Sequence, residues 1–200
     1  MARLLVVRHG NTFDAGDVVT RVGGRTDLPL SSSGRTQAEA LAAHFADTRF
    51  EAALASPLER TRATARAIIS RRTDAPALLI RSFLREIDYG PDENQPEDAV
   101  IARIGAAALK AWDDDGRPPE GWIVDPAAIR AGWAALLQEI ARLPAGANVL
   151  VVTSNGTARF LPDVVDEAPA GLDRKLKTGA WGEIGVTPDG TEITAWNRRP

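Results

Sequence analysis

The chain has 200 residues, 44% hydrophobic and 26% charged, with a formal net charge of −3 and no cysteine. That composition excludes collagen-like, disordered and membrane-embedded classes, and its mildly acidic balance leaves no electrostatic footprint for nucleic acid. The lack of cysteine excludes disulfides, zinc–thiolate sites and a Cys nucleophile. One domain over 1–200 is expected, because domains run to roughly 100–200 residues. The apolar run Leu4–Val7 is too short for a signal-peptide core or a membrane span. A soluble, cytoplasmic protein is expected, with neither membrane nor nucleic acid as partner. Nothing in the pattern specifies an oligomeric state.

Residues 3–8 read as a buried strand closed by Arg8-His9-Gly10. A glycine-bearing loop follows, with Gly16, Gly23, Gly24 and the turn Asp27-Leu28-Pro29. Ser31, Ser32 or Ser33 can cap the next helix. There Ala38, Leu41, Ala42 and Phe45 share one apolar face at i, i+3, i+4, i+7 spacing. Residues 52–55 form a second short strand, ending at Ser56-Pro57. A helix over 57–71 should start on that proline, and 77–80 is a third strand. This alternation implies parallel pairing and an α/β fold.

The region 88–126 differs, with Pro91, Pro96, Pro118, Pro119 and Pro126 and acidic clusters at Asp92-Glu93 and Asp113–Asp115. It reads as an insertion over the sheet edge rather than a core element, with one helix over 97–113. A helix over 127–142 follows, presenting Ile129, Trp133, Leu136, Leu137 and Ile140 on one face. Val149–Val152 is the most strand-like run in the chain. The tail, 182–196, alternates around Pro188-Asp189-Gly190 and reads as a closing hairpin. The predicted architecture is a three-layer α/β sandwich, with a mostly parallel central sheet flanked by helices.

Ligands of open α/β sheets bind beyond the carboxyl ends of the strands. After the first strand come Arg8, His9, Gly10, Asn11 and Thr12. Arg60 follows the second strand, Glu86 follows the third, and Thr153, Ser154, Asn155 and Gly156 follow the strand at 149–152. Singly, each has a bland explanation. A lone histidine is more often a packing residue, Arg60 shares its helix with Arg62 and Arg66, and Glu86 can pair with Arg85 or Arg81. Their joint placement is what argues for chemistry on an anionic substrate, most simply a phosphate. Arginine forks pair bidentately with phosphate oxygens. An imidazole can hold a phosphoryl group covalently, and a protonated carboxyl can protonate the leaving oxygen.

The segment Leu5-Val6-Val7-Arg8-His9-Gly10-Asn11-Thr12 resembles the signature of the histidine phosphatase superfamily, the phosphoglycerate mutase-like proteins. Gly24–Ser31 with Gly34, Gln37 and Ala38 resembles the family's loop and first helix. Ser56-Pro57-Leu58-Glu59-Arg60 with Thr64-Ala65 resembles its second arginine motif. Leu84–Gly90 resembles its acid-bearing segment, and Val149–Gly156 its last core strand. The resemblance implies the phosphoglycerate mutase-like fold, with the insertion over the site. It also implies His9 as the nucleophile that becomes phosphohistidine. Arg8 and Arg60 then bind the phosphoryl group, Glu86 donates the proton, and Asn11 touches phosphate or substrate. Two guanidinium groups supply the positive field, so no metal or other cofactor is expected. The partner is a small phosphorylated substrate or a phosphoprotein.

Two departures stand out. The family carries a second histidine directly after the last strand, and Ser154 occupies that position here, where it is expected to bind the phosphoryl group with one neutral donor and Asn155 to offer an amide. The chain's other histidine, His44, lies beside the apolar face of a helix and reads as a surface or interface residue. After Gly90 the chain has Pro91-Asp92-Glu93-Asn94, where many relatives have a Trp-Glu-Gly run. The reading is therefore a phosphatase through His9, weakened by Ser154. The alternative is a catalytically impaired relative that binds a phosphorylated ligand. A mutase ranks below both, and a Ser154 nucleophile ranks last because no G-x-S-x-G elbow surrounds it.

Overall fold

The computed structural model describes residues 1–200. Strands β1 (Ala2–Arg8), β2 (Ala52–Ala55), β3 (Leu78–Ile80), β4 (Asn148–Thr153), β5 (Trp181–Val186) and β6 (Thr191–Arg198) form one sheet in the order β3-β2-β4-β1-β5-β6. The four strands β3, β2, β4 and β1 run parallel. The closing hairpin adds β5 antiparallel to β1 and β6 antiparallel to β5. The sheet is thus mostly parallel, as expected.

Side-chain alternation explains the layers, since successive strand residues point to opposite faces. Leu5, Val7, Ala53, Ala55, Leu150 and Val152 face helices α1 (Ser32–His44) and α2 (Glu59–Ile69) through Leu41, Phe45, Ala65 and Ile68. Leu4, Val6, Leu54, Val149 and Val151 face α5 (Pro126–Ala141) through Trp133, Leu136, Leu137 and Ile140. A strand buried on both faces must be continuously apolar. β4 meets that condition, because all its residues are buried.

Local signals set the helix ends. Of the three serines, Ser31 is the cap: its Oγ accepts from Gly34 N at 3.1 Å. Helix α2 starts at Glu59 after Leu58, so Pro57 lies outside the helix rather than in its first turn. The expected single helix over 97–113 is two helices, α3 (Glu97–Ile104) and α4 (Ala106–Asp115). Gly105 divides them with φ +81°, a conformation that no helix interior accommodates.

The insertion also departs from expectation in its packing. Val100, Trp112 and Trp122 are buried members of the larger core cluster. It is therefore part of the core as well as a cover. Isolated bridges, Asp88 with Ile123 and Thr20 with Pro96, tie it to the rest of the chain.

Candidate active site

The first turn after β1 is held by close backbone contact. A Cβ on Gly34 would lie 2.0 Å from Asn11 O, and one on Gly10 would lie 2.3 Å from Gly34 O. Only glycines let the start of α1 press against the His9-Gly10-Asn11 turn. His9 thereby sits at the carboxyl end of β1, facing a cavity of about 430 Å³.

His9 is buried, and its two ring nitrogens are distinguished by their neighbours. Nδ1 lies 2.7 Å from Gly10 O, an acceptor only, so Nδ1 carries the proton. Nε2 then holds the lone pair and accepts from Arg60 Nε at 3.2 Å. Burial, then the charges of Arg60 and Arg8, hold the imidazole well below its usual pKa. The ring is neutral at pH 7, with a basic nitrogen aimed between two guanidinium groups.

Arg60 is 1% exposed. It donates from Nη1 to Thr26 O at 2.8 Å and from Nη2 to Gly23 O at 3.1 Å, so the glycine-bearing loop serves to orient it. Arg8 donates from Nη1 to Leu176 O at 2.9 Å, and its Nε has no hydrogen-bond partner. Burial lowers the pKa of both, and Glu86 opposes the shift most. Guanidinium groups remain charged through such shifts.

Glu86 does not pair with Arg85 or Arg81. Arg85 reaches Gly24 O at 2.6 Å, and Arg81 meets Glu139 at 3.6 Å. The Glu86 carboxylate accepts from Ile87 N at 2.9 Å through Oε1 and from Gly156 N at 3.2 Å through Oε2. A Cβ on residue 156 would stand 2.1 Å from Glu86 Oε1, so Gly156 makes the room that this carboxylate occupies.

Arg8, His9, Asn11, Arg60 and Glu86 all line the one cavity. Asn11 is fixed there by two contacts: its backbone N donates to Gln37 Oε1 at 2.8 Å, and its Nδ2 donates to Ser33 Oγ at 3.2 Å. Ser154 is fully buried at the end of β4, and its Oγ has no hydrogen-bond partner. The wall beside it is Asn155, whose Oδ1 accepts from Leu176 N at 2.9 Å. His44 ends α1 on the surface, with its ring 5.1 Å from that of Trp181.

Sequence reasoning missed Arg159, Arg21 and Trp112, which line the same cavity. Arg159 is 1% exposed and lies 4.2 Å from the Trp112 ring. The available signal was its place in Gly156-Thr157-Ala158-Arg159, directly after the site-bearing strand.

A mixed six-stranded sheet between helical layers, with an Arg-His-Gly turn leaving β1, defines a phosphoglycerate mutase-like protein. The chain belongs to the histidine phosphatase superfamily (branch 1), which matches residues 4–199. It is 31% identical over 165 residues to 2,3-bisphosphoglycerate-dependent phosphoglycerate mutase 2 of Gloeobacter violaceus, covering 80% of this chain and 74% of that protein. It superposes on a mycobacterial glucosyl-3-phosphoglycerate phosphatase solved with VO3, at a TM-score of 0.79 and 21% identity over 98% of each chain. Alpha-ribazole phosphatase from Shigella flexneri superposes at a TM-score of 0.74 and 23% identity, covering 98% of this chain and 96% of the other. At these identities the structural likeness speaks for the fold.

Proposed function

We propose that this protein hydrolyses a phosphomonoester through a phosphohistidine on His9. The Nε2 lone pair attacks phosphorus, and the bond from phosphorus to the leaving oxygen breaks. Glu86 gives that oxygen its proton. A water then yields a proton to the Glu86 carboxylate and attacks the phosphohistidine, releasing inorganic phosphate and neutral His9. Arg8 and Arg60 carry the charge on the equatorial oxygens, which is most of what phosphoryl transfer asks of a protein. The substrate is a small phosphorylated molecule or the phosphorylated side chain of a protein.

The observation that carries this reading is the state of His9. A neutral imidazole whose Nδ1 is tied to Gly10 O presents Nε2 beside a guanidinium. A packing histidine has no use for two arginines and a buried carboxylate in its cavity.

Family resemblance puts a second histidine where Ser154 stands. A serine offers one neutral donor in place of an imidazole, and loss of one preorganised donor typically slows chemistry by about 10²–10³-fold. A slow hydrolase is therefore the expected form. Ser154 favours the second reading, a protein that binds a phosphorylated ligand and turns it over poorly. Mutase chemistry draws support from the names of the curated relatives, the Gloeobacter mutase at 31% identity and the probable phosphoglycerate mutases of Enterobacter and Photorhabdus at 29% and 27%.

The test is a panel of phosphomonoesters offered to wild-type and His9→Ala protein, with acid-labile, base-stable phosphoenzyme trapped in parallel. Wild type should release phosphate and trap label on His9, and His9→Ala should do neither. Phosphate release by His9→Ala at the wild-type rate would overturn the mechanism.

A further inference from the structure

The cavity holds a second positive focus that the transfer chemistry leaves unused. Arg159 follows α6 (Asn155–Ala158), and its guanidinium is stacked on Trp112 of α4. It donates from Nη1 to Trp112 O and from Nη2 to Asp113 Oδ1, the latter at 3.1 Å. Its Nε has no partner, although the residue is 1% exposed and lines the cavity. A guanidinium carries five N–H donors. Two are used by the protein, Nε is buried without a partner, and three N–H groups in all are left unpaired.

Arg159 borders the same cavity as His9, Arg8, Arg60 and Glu86, so the part of a phosphomonoester that lies beyond its phosphoryl group shares that cavity with Arg159. Its protein counter-ion is poorly matched: the Asp113 side chain is 52% exposed and the Arg159 side chain 1%. The buried charge keeps a partner that can turn outward to water, while a ligand anion can reach the guanidinium from within the cavity.

We propose that Arg159 is a specificity-determining residue for a second anionic group, carboxylate or phosphate, on the leaving part of the substrate. This rests on the reading of the cavity as a phosphomonoester site with His9 as nucleophile. Arginine in a fixed, stacked pose is suited to it, because its planar fork matches either oxyanion bidentately. The volume of about 430 Å³ accommodates a small phosphorylated acid or a sugar bisphosphate.

Two matched probe pairs test it: 3-phosphoglycerate against glycerol 3-phosphate, and fructose 1,6-bisphosphate against fructose 6-phosphate. Members of each pair differ by one anionic group. Affinities are measured by calorimetry on the full-length His9→Ala protein, which forms no phosphoenzyme and so reports binding without turnover. The anion-bearing member of one pair or both should bind about 10-fold or more tightly, as expected of a charge-assisted hydrogen bond. The pair that shows the gap identifies the group as carboxylate or phosphate. Arg159→Gln in that background should erase the gap, Arg159→Lys should restore part of it, and Asp113→Asn should widen it by removing a competing negative charge. Equal affinities within both pairs, or a gap unchanged by Arg159→Gln, overturn the proposal. Should Arg159→Gln fail to fold, Asp113→Asn at a half-exposed position decides, and an unchanged gap counts against the proposal. A gap in a wild type that forms no phosphohistidine sinks the hydrolase reading alone. Hydrolysis of both members of each pair with no gap sinks this inference alone.

Discussion

The two walls of the cavity are built differently. Around His9 the functional side chains are gripped by backbone: Nδ1 by Gly10 O, Arg60 by Thr26 O and Gly23 O, Arg8 by Leu176 O, and Glu86 by two amide N–H groups. Around Trp112, apart from the bonds of Arg159 to Trp112 O and of Arg103 to Glu120 O, the grip is between side chains. Arg159 stacks on Trp112 at 4.2 Å, and Arg21 lies against Tyr89 at 5.3 Å and Trp122 at 5.1 Å. Asp92, buried in the insertion, accepts from Trp122 Nε1 at 2.7 Å and from Arg103 Nε at 2.6 Å. Backbone anchors persist when neighbouring side chains change, whereas stacked side chains are lost one substitution at a time. The first wall suits the phosphoryl group that every phosphomonoester shares. The second suits the part that differs between substrates.

The strongest way to break the first wall is His9→Ala, with an expected loss of about 10⁴-fold or more in turnover, since a covalent nucleophile has no local substitute. His9 also gives a pH signature. Its folded-state pKa lies well below the ordinary 6.5. Below about pH 6.5 the unfolded chain takes up a proton that the folded chain refuses, so unfolding becomes easier as pH falls. The contribution is complete above pH 6.5 and is lost as pH falls from there towards the depressed folded value. The unfolding free energy of wild type should decline through that window, and His9→Ala should flatten that part of the curve. Parallel curves for the two proteins would show that His9 is not the depressed group.

Glu86→Gln is next in size. Acid–base groups typically contribute about 10²–10⁴-fold. Gln cannot yield a proton, so hydrolysis of alkyl phosphates should fall by that order. Esters of acidic phenols, whose leaving oxygen needs no proton, should lose much less. Equal loss for both classes makes Glu86 a support for Gly156 N and Ile87 N and nothing more. Arg60→Met should then weaken inorganic phosphate binding and lower turnover by about 10²–10³-fold, the usual effect of removing one preorganised donor. Unchanged phosphate affinity by calorimetry would remove Arg60 from the anion site.

The two walls also differ in how far the sequence discloses them. β1 and β4 are legible because strands buried on both faces must be continuous apolar runs. The residues that leave their carboxyl ends, Arg8, His9 and Ser154, are therefore placed by topology alone. Arg60 follows from the same rule at β2, whereas Glu86 follows only from its place after β3, an edge strand whose Leu79 and Ile80 are exposed. The other wall hides its logic. Trp112 and Trp122 have no periodicity that announces a core role, and Arg159 meets Trp112 across 47 residues of chain. The break at Gly105 was hidden in an otherwise helical pattern, because one glycine lowers helix stability by only about 1 kcal/mol and ends a helix when packing favours it. The contact of Gly34 with Asn11 O is likewise tertiary, and no local pattern signals it.

Ser154 sharpens the first wall from within. Ser154→His should raise turnover by up to about 10²-fold if the ring reaches the phosphoryl oxygens. It should also lower the unfolding midpoint, because the residue is fully buried and overpacking costs roughly 1–3 kcal/mol. A slow variant with its ring seen against the bound anion would refute the donor argument.

The smallest effect expected comes from Ser154→Ala, and it separates two uses of one hydroxyl. Ser154 Oγ is buried with no hydrogen-bond partner in the protein. Such a group costs about 1–3 kcal/mol of desolvation, so its removal should leave the thermal midpoint unchanged or raise it. If the hydroxyl finds its acceptor on the bound anion, wild type gains a hydrogen bond on binding that Ser154→Ala lacks. Phosphate should then raise the wild-type midpoint more than the variant's, in proportion to the logarithm of the affinity difference. A neutral hydrogen bond contributes about 0.5–1.5 kcal/mol, so affinity should differ by roughly 3–10-fold. Equal phosphate-induced shifts in the two proteins would assign the stabilising contact to Asn155, the residue at that wall whose side chain already opens onto the cavity.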